Sequence, residues 1–339
     1  MTKGLRKYAV WLLVILLISS CQTAPSANQK HILEPYTIEK PAHFPTIPIP
    51  ADNPMSAEKV KLGEALFFDP ILSSDSSISC ASCHFPGFAF SDTVALSRGV
   101  HDSIGKRNAP PLINIAYAPV LFRDGGAQSL EMQLYTPIED DHEMNLDIDE
   151  AVMRLQENNQ YRVMFEEVFD TLPTVFGLTR ALAAYERTLI GGSSRYDTFL
   201  TTGDSSIFNE QEKLGLQLFY SSDLNCAACH SGFNLTDHSF RNNGLYETYT
   251  DWGHANLSMD SSDIGKFRVP SLRNIALTAP YMHDGSFTSL ESVIKHYANG
   301  GKAHPHKDPS LQGFVITDNE MDALIQFFHT LTDTAIIEH

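Results

Sequence analysis

The sequence predicts a mainly α-helical chain built from two duplicated domains, and three observations predict it. A Cys-x-x-Cys-His motif occurs twice, at residues 80–84 and 226–230. A longer block recurs at an offset of 160, where residues 108–131 and 268–291 match without a gap at ten of 24 positions. The apolar residues elsewhere keep helical spacing, and no convincing run alternates as a strand would.

The repeat extends beyond its core block. KLGEALFFD (61–69) precedes the first cysteine motif and KLGLQLFYS (213–221) precedes the second. His84 and His230 lie 146 apart, so the second copy carries 14 extra residues (160 − 146), placed in the polar stretch 241–263 and read as an inserted loop. Such self-similarity marks two homologous units. Asn209 with Glu212, and Thr317 with Glu320, have the spacing of capping boxes that open helices. Met321, Leu324, Ile325, Phe328 and Leu331 then keep one apolar face. Residues 173–192 carry a stripe at Phe176, Leu182, Tyr185 and Leu189, stopped by Gly191 and Gly192. The organisation expected is a signal segment at 1–20, a tether and N-terminal arm at 21–52, an N-terminal domain at 53–200 and a C-terminal domain at 201–339.

The first twenty residues have the make-up of an export signal. Lys3, Arg6 and Lys7 precede an apolar run at 9–18, which is short for a spanning helix, and Ser19-Ser20-Cys21 closes it. Leu-Ile-Ser-Ser-Cys resembles a lipoprotein box, with Cys21 the lipidated residue; an ordinary secretory signal is the alternative. Loss of residues 1–20 takes the net charge from −17 to −20, which excludes a basic nucleic-acid surface.

Five cysteines are present, and Cys21 is one. The remaining four, Cys80, Cys83, Cys226 and Cys229, could form disulfides in an exported protein or a four-thiolate zinc site. Neither explains why His84 and His230 follow at once. Covalent haem c does: the thiols add to the vinyl groups and the adjacent histidine binds iron. With two haems, chemistry turns on the sixth position of each iron, since a closed iron transfers electrons and an open one can bind peroxide or oxygen. In the repeat frame, DGGAQSLEMQLYTP ends on Pro137, which offers iron nothing. DGSFTSLESVIKHY ends on Tyr297, which offers a phenol oxygen or is simply a packing aromatic.

The order of motifs resembles the bacterial di-haem cytochrome c peroxidase family, which includes the MauG-type enzymes. The resemblance rests on the two haem motifs, Arg107-Asn108-Ala109-Pro110, Asp124-Gly125, Ser129-Leu130-Glu131, Gln133, Pro137 and Glu143-Met144. In the second half it rests on Phe267 to Asn274 and Thr278 to Gly285. It implies two duplicated c-type cytochrome domains packed face to face, with calcium between them. It makes the N-terminal haem peroxidatic and the C-terminal haem the acceptor of electrons from a small c-type cytochrome or copper protein. Carried over, Gln133, Pro137 and Glu143 form the distal pocket, with Glu143 as acid and base toward hydrogen peroxide. Asn108 and the carbonyls of Thr278 and Pro280 match calcium ligands. Tyr297 stands where MauG-type proteins ligate the C-terminal iron, and Met282 is its competitor.

Two departures bear on this. Arg123 stands where the family usually has a tryptophan thought to relay electrons, and the only tryptophan outside the signal is Trp252, in the inserted loop. His101 lies one residue from the position of a distal histidine found in members that need reductive activation, and is either that ligand or a solvent-facing residue. The reading is a peroxidase that reduces hydrogen peroxide to water. A MauG-like oxidase of a protein side chain and a non-catalytic di-haem electron carrier are its alternatives. The expected place is the periplasmic side of a bacterial membrane, held by the lipid on Cys21 to the outer membrane, or free in the periplasm. A homodimer accords with the resemblance.

Overall fold

The computed structural model describes residues 32–337. The signal segment and Cys21 lie outside the described residues. The chain divides into Met1–Ile32 and a compact unit beginning at Leu33. No helix among the described residues is long and apolar enough to cross a membrane.

The unit is mainly helical. Its helices are α1 (Ala57–Phe68), α2 (Leu130–Gln133), α3 (Tyr135–Glu139), α4 (Ile148–Glu157), α5 (Asn159–Phe169) and α6 (Val175–Arg187) in the first half. The second half holds α7 (Arg195–Thr202), α8 (Glu210–Phe219), α9 (Ala255–Ser258), α10 (Leu290–Ala298) and α11 (Asp318–His329). The strands among the described residues are two-residue pieces, β1 (Phe240–Arg241) and β2 (Phe267–Arg268), paired antiparallel. Both predicted capping boxes form, at Asn209 with Glu212 and at Thr317 with Glu320.

Two apolar cores follow the halves of the sequence. One gathers Leu62, Leu66, Phe67, Leu134, Phe165, Leu178 and Leu182. The other gathers Phe208, Phe219, Leu290, Ile294, Leu324 and Phe327. The stripe predicted on 173–192 needs two corrections. Phe176 is exposed and lies under the Arg180 guanidinium, 3.5 Å from ring centroid to carbon, because its place in the first turn faces away from the core. The helix also ends at Arg187, before Gly191.

The repeat is reproduced in the backbone. Asn114 and Asn274 both take the left-handed conformation, at φ 60° and 56°. Each clasps the chain beyond its half's last core helix. Asn114 exchanges hydrogen bonds with Gly191 through Oδ1 and Nδ2, and Asn274 does so with Asp333. The antiparallel bridge of Leu121 with Ala127 recurs as Tyr281 with Phe287, and the cap of α2 by Ser129 recurs as the cap of α10 by Ser289.

In each half the helix entering the cysteine motif crosses the half's last core helix at a glycine. A Cβ on Gly63 would lie 1.9 Å from the Ala181 carbonyl oxygen, and one on Gly215 would lie 2.0 Å from that of Ala323. Both obstacles are helix backbone, which has no rotamer to give way. Gly215→Ala is therefore expected to cost at least about 1–3 kcal/mol, the range for overpacking. Denaturant unfolding of the haem-loaded protein checks it; an unchanged midpoint would show that the helices can part.

The N-terminal arm ties the halves together. Phe44 is buried against Tyr117 of the first half and Phe233 and Arg273 of the second. His43 Nε2 meets Asp197 Oδ1 at 2.9 Å. Asp197 also takes both Nη groups of Arg273 at 2.9 Å, so one buried carboxylate joins the arm, α7 and the second haem-motif domain.

Candidate active site

Each Cys-x-x-Cys-His motif forms a tight 3-10 turn, Cys80–Ser82 and Cys226–Ala228, which carries the histidine back toward its cysteines. The His84 and His230 backbone N–H groups donate to the carbonyls of Cys80 and Cys226, both at 3.0 Å. His84 Nδ1 lies 2.9 Å from the Phe90 carbonyl and His230 Nδ1 lies 3.2 Å from that of Leu235. A carbonyl can only accept, so Nδ1 carries the proton and Nε2 keeps its lone pair for a metal. Burial lowers both imidazoles below the usual histidine range and holds them neutral.

All four cysteines are free thiols, which removes the disulfide alternative. The grouping of three or more potential metal ligands among the described residues is Asp140, Asp141 and His142, so the cysteine pairs do not converge on a zinc site. Burial pushes the Cys83 and Cys226 thiols up to about 11. Thiols held protonated and half-buried beside a neutral imidazole fit vinyl addition and axial ligation, so each motif fits one haem c.

The segments following the two Asp-Gly turns differ at one point. In the second half α10 runs unbroken through Tyr297. In the first half the equivalent helix is interrupted at Leu134 and resumes as α3, which contains Pro137. Proline has no N–H to give the carbonyl of Gln133, four residues earlier. Gln133 is half-buried at the end of α2. The Pro137 carbonyl accepts Met144 N–H at 3.1 Å, and the Glu143 carbonyl accepts Val100 N–H at 2.9 Å. Pro137 in α3 and Glu143 in the loop after it are thereby tied together, and the Glu143 charge acts on both Cys80 and Cys83. Glu143 is exposed in that loop, yet partial desolvation, with the Asp140 charge beside it, pushes its carboxyl up to about 7.

Tyr297 lies among the second motif's groups, and the thiols of Cys229 and Cys226 act on its phenol. Desolvation raises that phenol above the ordinary tyrosine range, opposed by a hydrogen bond from Asn243. Asn243 Nδ2 is also 3.3 Å from Met282 Sδ, so both candidate ligands meet one amide. Asn243 has no sequence signal beyond its place in a polar insertion. Glu186 has none either: its buried carboxyl is pushed up to about 8 by burial and acts on Cys80.

His101 is not brought to this site. Its side chain is 65% exposed and its Nδ1 is 3.7 Å from Asp75 Oδ2, whereas neighbouring Val100 is buried. A positive φ of 56° at His101 turns the imidazole outward.

The calcium set fares differently. Asn108 is buried, but its Oδ1 already accepts Arg123 Nη2 at 2.6 Å and its carbonyl accepts Arg123 Nε at 2.9 Å. Calcium needs six to eight oxygens at 2.3–2.6 Å. The one side-chain oxygen of the predicted set is thus engaged by a cation, and the residues do not fit calcium.

A duplicated helical chain with two haem c attachment motifs, one half carrying a proline-broken helix and the other an unbroken helix that contains Tyr297, has the make-up of a di-haem c-type oxidoreductase. The family model for di-haem cytochrome c peroxidase matches residues 57–206. The methylamine utilization protein MauG of Methylorubrum extorquens is 37% identical over 290 residues, covering 84% of this chain and 81% of that protein. The cytochrome c peroxidase Ccp of Escherichia coli is 36% identical over 297 residues, covering 85% of this chain and 61% of that protein. Among solved structures, a MauG-like protein associated with microbial copper homeostasis superposes with a TM-score of 0.84 at 32% identity, covering 89% of this chain and 97% of that one. The chain belongs to the di-haem cytochrome c peroxidase family and is an oxidoreductase of the peroxidase type.

Proposed function

We propose that the N-terminal domain reduces hydrogen peroxide to water, with two electrons and two protons consumed per peroxide. Electrons would reach it through the C-terminal haem from a small c-type cytochrome or copper protein. The observation that carries this is the asymmetry of the repeat: Pro137 and Glu143 on one side, Tyr297 on the other. When bound, the haems supply the electrons that break the O–O bond. The chain's own residues handle protons and position. Glu143, balanced near neutrality, takes the proton from the nearer peroxide oxygen and returns it to the departing one. Gln133 orients the peroxide by hydrogen bonding. Pro137 presents no ligand atom, so the side chain at that position would not close the first iron. A periplasmic location, with the chain held to the outer membrane through Cys21, accords with this reading.

Oxidation of a protein side chain, as in a MauG-type enzyme, is favoured by one observation, the place of Tyr297 among the second motif's thiols. The two readings divide on the donor. Peroxide consumption coupled stoichiometrically to oxidation of an added reduced cytochrome or copper protein is expected; none with any donor would overturn the peroxidase reading. Tyr297→Phe should change the spectrum of the C-terminal haem alone. An unchanged spectrum would place the ligand elsewhere, with Met282 next to be replaced.

A further inference from the structure

We propose that Arg123 is the resident cation between the two halves and that this chain seats no calcium there. Arg123 reaches both halves. Its carbonyl accepts Arg268 N–H at 2.7 Å, across the junction. Its guanidinium holds Asn108 through the carbonyl and Oδ1, while Asn108 N–H donates to the His283 carbonyl at 2.9 Å. The Asn108 amide cannot turn away, because its Nδ2 donates to the Val94 carbonyl at 3.2 Å. Oδ1 is therefore aimed at Arg123 by its own second bond.

The surrounding charges balance without a divalent ion. Arg123 is desolvated, with Arg107 and Arg268 as neighbouring cations. Asp124, Asp251 and Asp284 oppose them. The carboxylates are also committed. Asp251 takes Arg107 through Nε and Nη2, Asp124 takes Arg107 Nη1, and Asp284 takes Tyr246 Oη at 2.5 Å. A calcium ion on Asn108 Oδ1 would join three guanidinium groups with no spare carboxylate to balance it. Arg123 does a cation's work, drawing the oxygens of one half toward the backbone of the other, without being exchangeable.

The test uses the full chain with both haems. After dialysis against a chelator, calcium titrated by calorimetry should show no stoichiometric uptake, and Tm should be the same with chelator or calcium. A resident ion at a hundred times its Kd would raise Tm by several degrees. Stoichiometric uptake with such a rise would overturn the proposal. Arg123→Leu should lower Tm and make it responsive to calcium, and Arg123→Lys should retain more stability without gaining that response. An Arg123→Leu protein with unchanged Tm would also overturn it. Should that variant fail to fold, the wild-type titration still decides.

Discussion

Glu143→Gln is expected to lower the rate of peroxide turnover by about 10²–10⁴-fold, the usual contribution of a positioned acid or base. Haem content should be unchanged, because the turn of each motif is held by its own backbone hydrogen bonds. The pH profile separates a proton carrier from a merely polar residue. In the wild type kcat/KM should fall as pH drops through about 7, where the carboxylate acquires the proton it must hold free to act as base. In the variant that limb should vanish. Retention of the limb, or of most of the rate, would assign the proton to another group. Stability should move oppositely to what a lost ion pair would give. The Glu143 carboxyl binds its proton more tightly folded than its ordinary value of 4.5 allows, so ionisation above about 7 costs the folded state. Glutamine avoids that cost, and the variant should be no less stable than the wild type at pH 8.

Asp197→Ala is expected to cost about 3–5 kcal/mol, the range for removing one partner of a buried ion pair. At roughly 2–4 °C per kcal/mol, Tm should fall by on the order of 10 °C. The side chains of Asp197 and Arg273 are each 3% exposed, so water cannot replace the missing carboxylate. The loss reaches beyond Arg273. Ser194 Oγ donates to Asp197 at 2.6 Å at the start of α7, and His43 anchors the arm there. Burial alone would raise the Asp197 carboxyl; Arg273, Ser194 and His43 together hold it below its ordinary 3.8. A depressed acid stabilises above its unfolded value and loses that stability as pH falls through the folded one. The stability gap between wild type and variant should therefore be full at neutral pH and narrow below about 3.8. Replacing both partners by apolar residues should recover part of the loss, since no lone charge is left buried. A single variant with wild-type Tm would show that the arm and α7 hold without the carboxylate.

Local chemistry was legible in the residues alone because it depends on spacing. Two residues between cysteines and an adjacent histidine suffice to specify haem attachment, wherever the chain later goes. The offset of 160 carries its turns, caps and left-handed asparagines with it, because these are set within a few residues of backbone. Helix periods and capping boxes are local in the same way. Pro137 and Tyr297 could be contrasted from sequence for that reason: a missing N–H and a phenol differ in any fold.

Partnership across the fold was not legible. Glu131 and Glu291 occupy one repeat position, yet Glu131 is buried against Asn53 and Arg187 while Glu291 is exposed beside Lys295. Only packing distinguishes them. His101 sits one residue from a ligand position, and a left-handed backbone at His101 and Asp102 leaves it exposed beside Asp75. Asn108 reads as an oxygen donor for a hard cation until Arg123, fifteen residues on, closes over it. The sequence by itself determined that there are two haem attachment sites and two copies of one helical unit, since covalent and local backbone preferences need no partner. The tertiary structure decided which charges are buried together and which side chains face solvent, because desolvation and pairing exist only once distant segments meet.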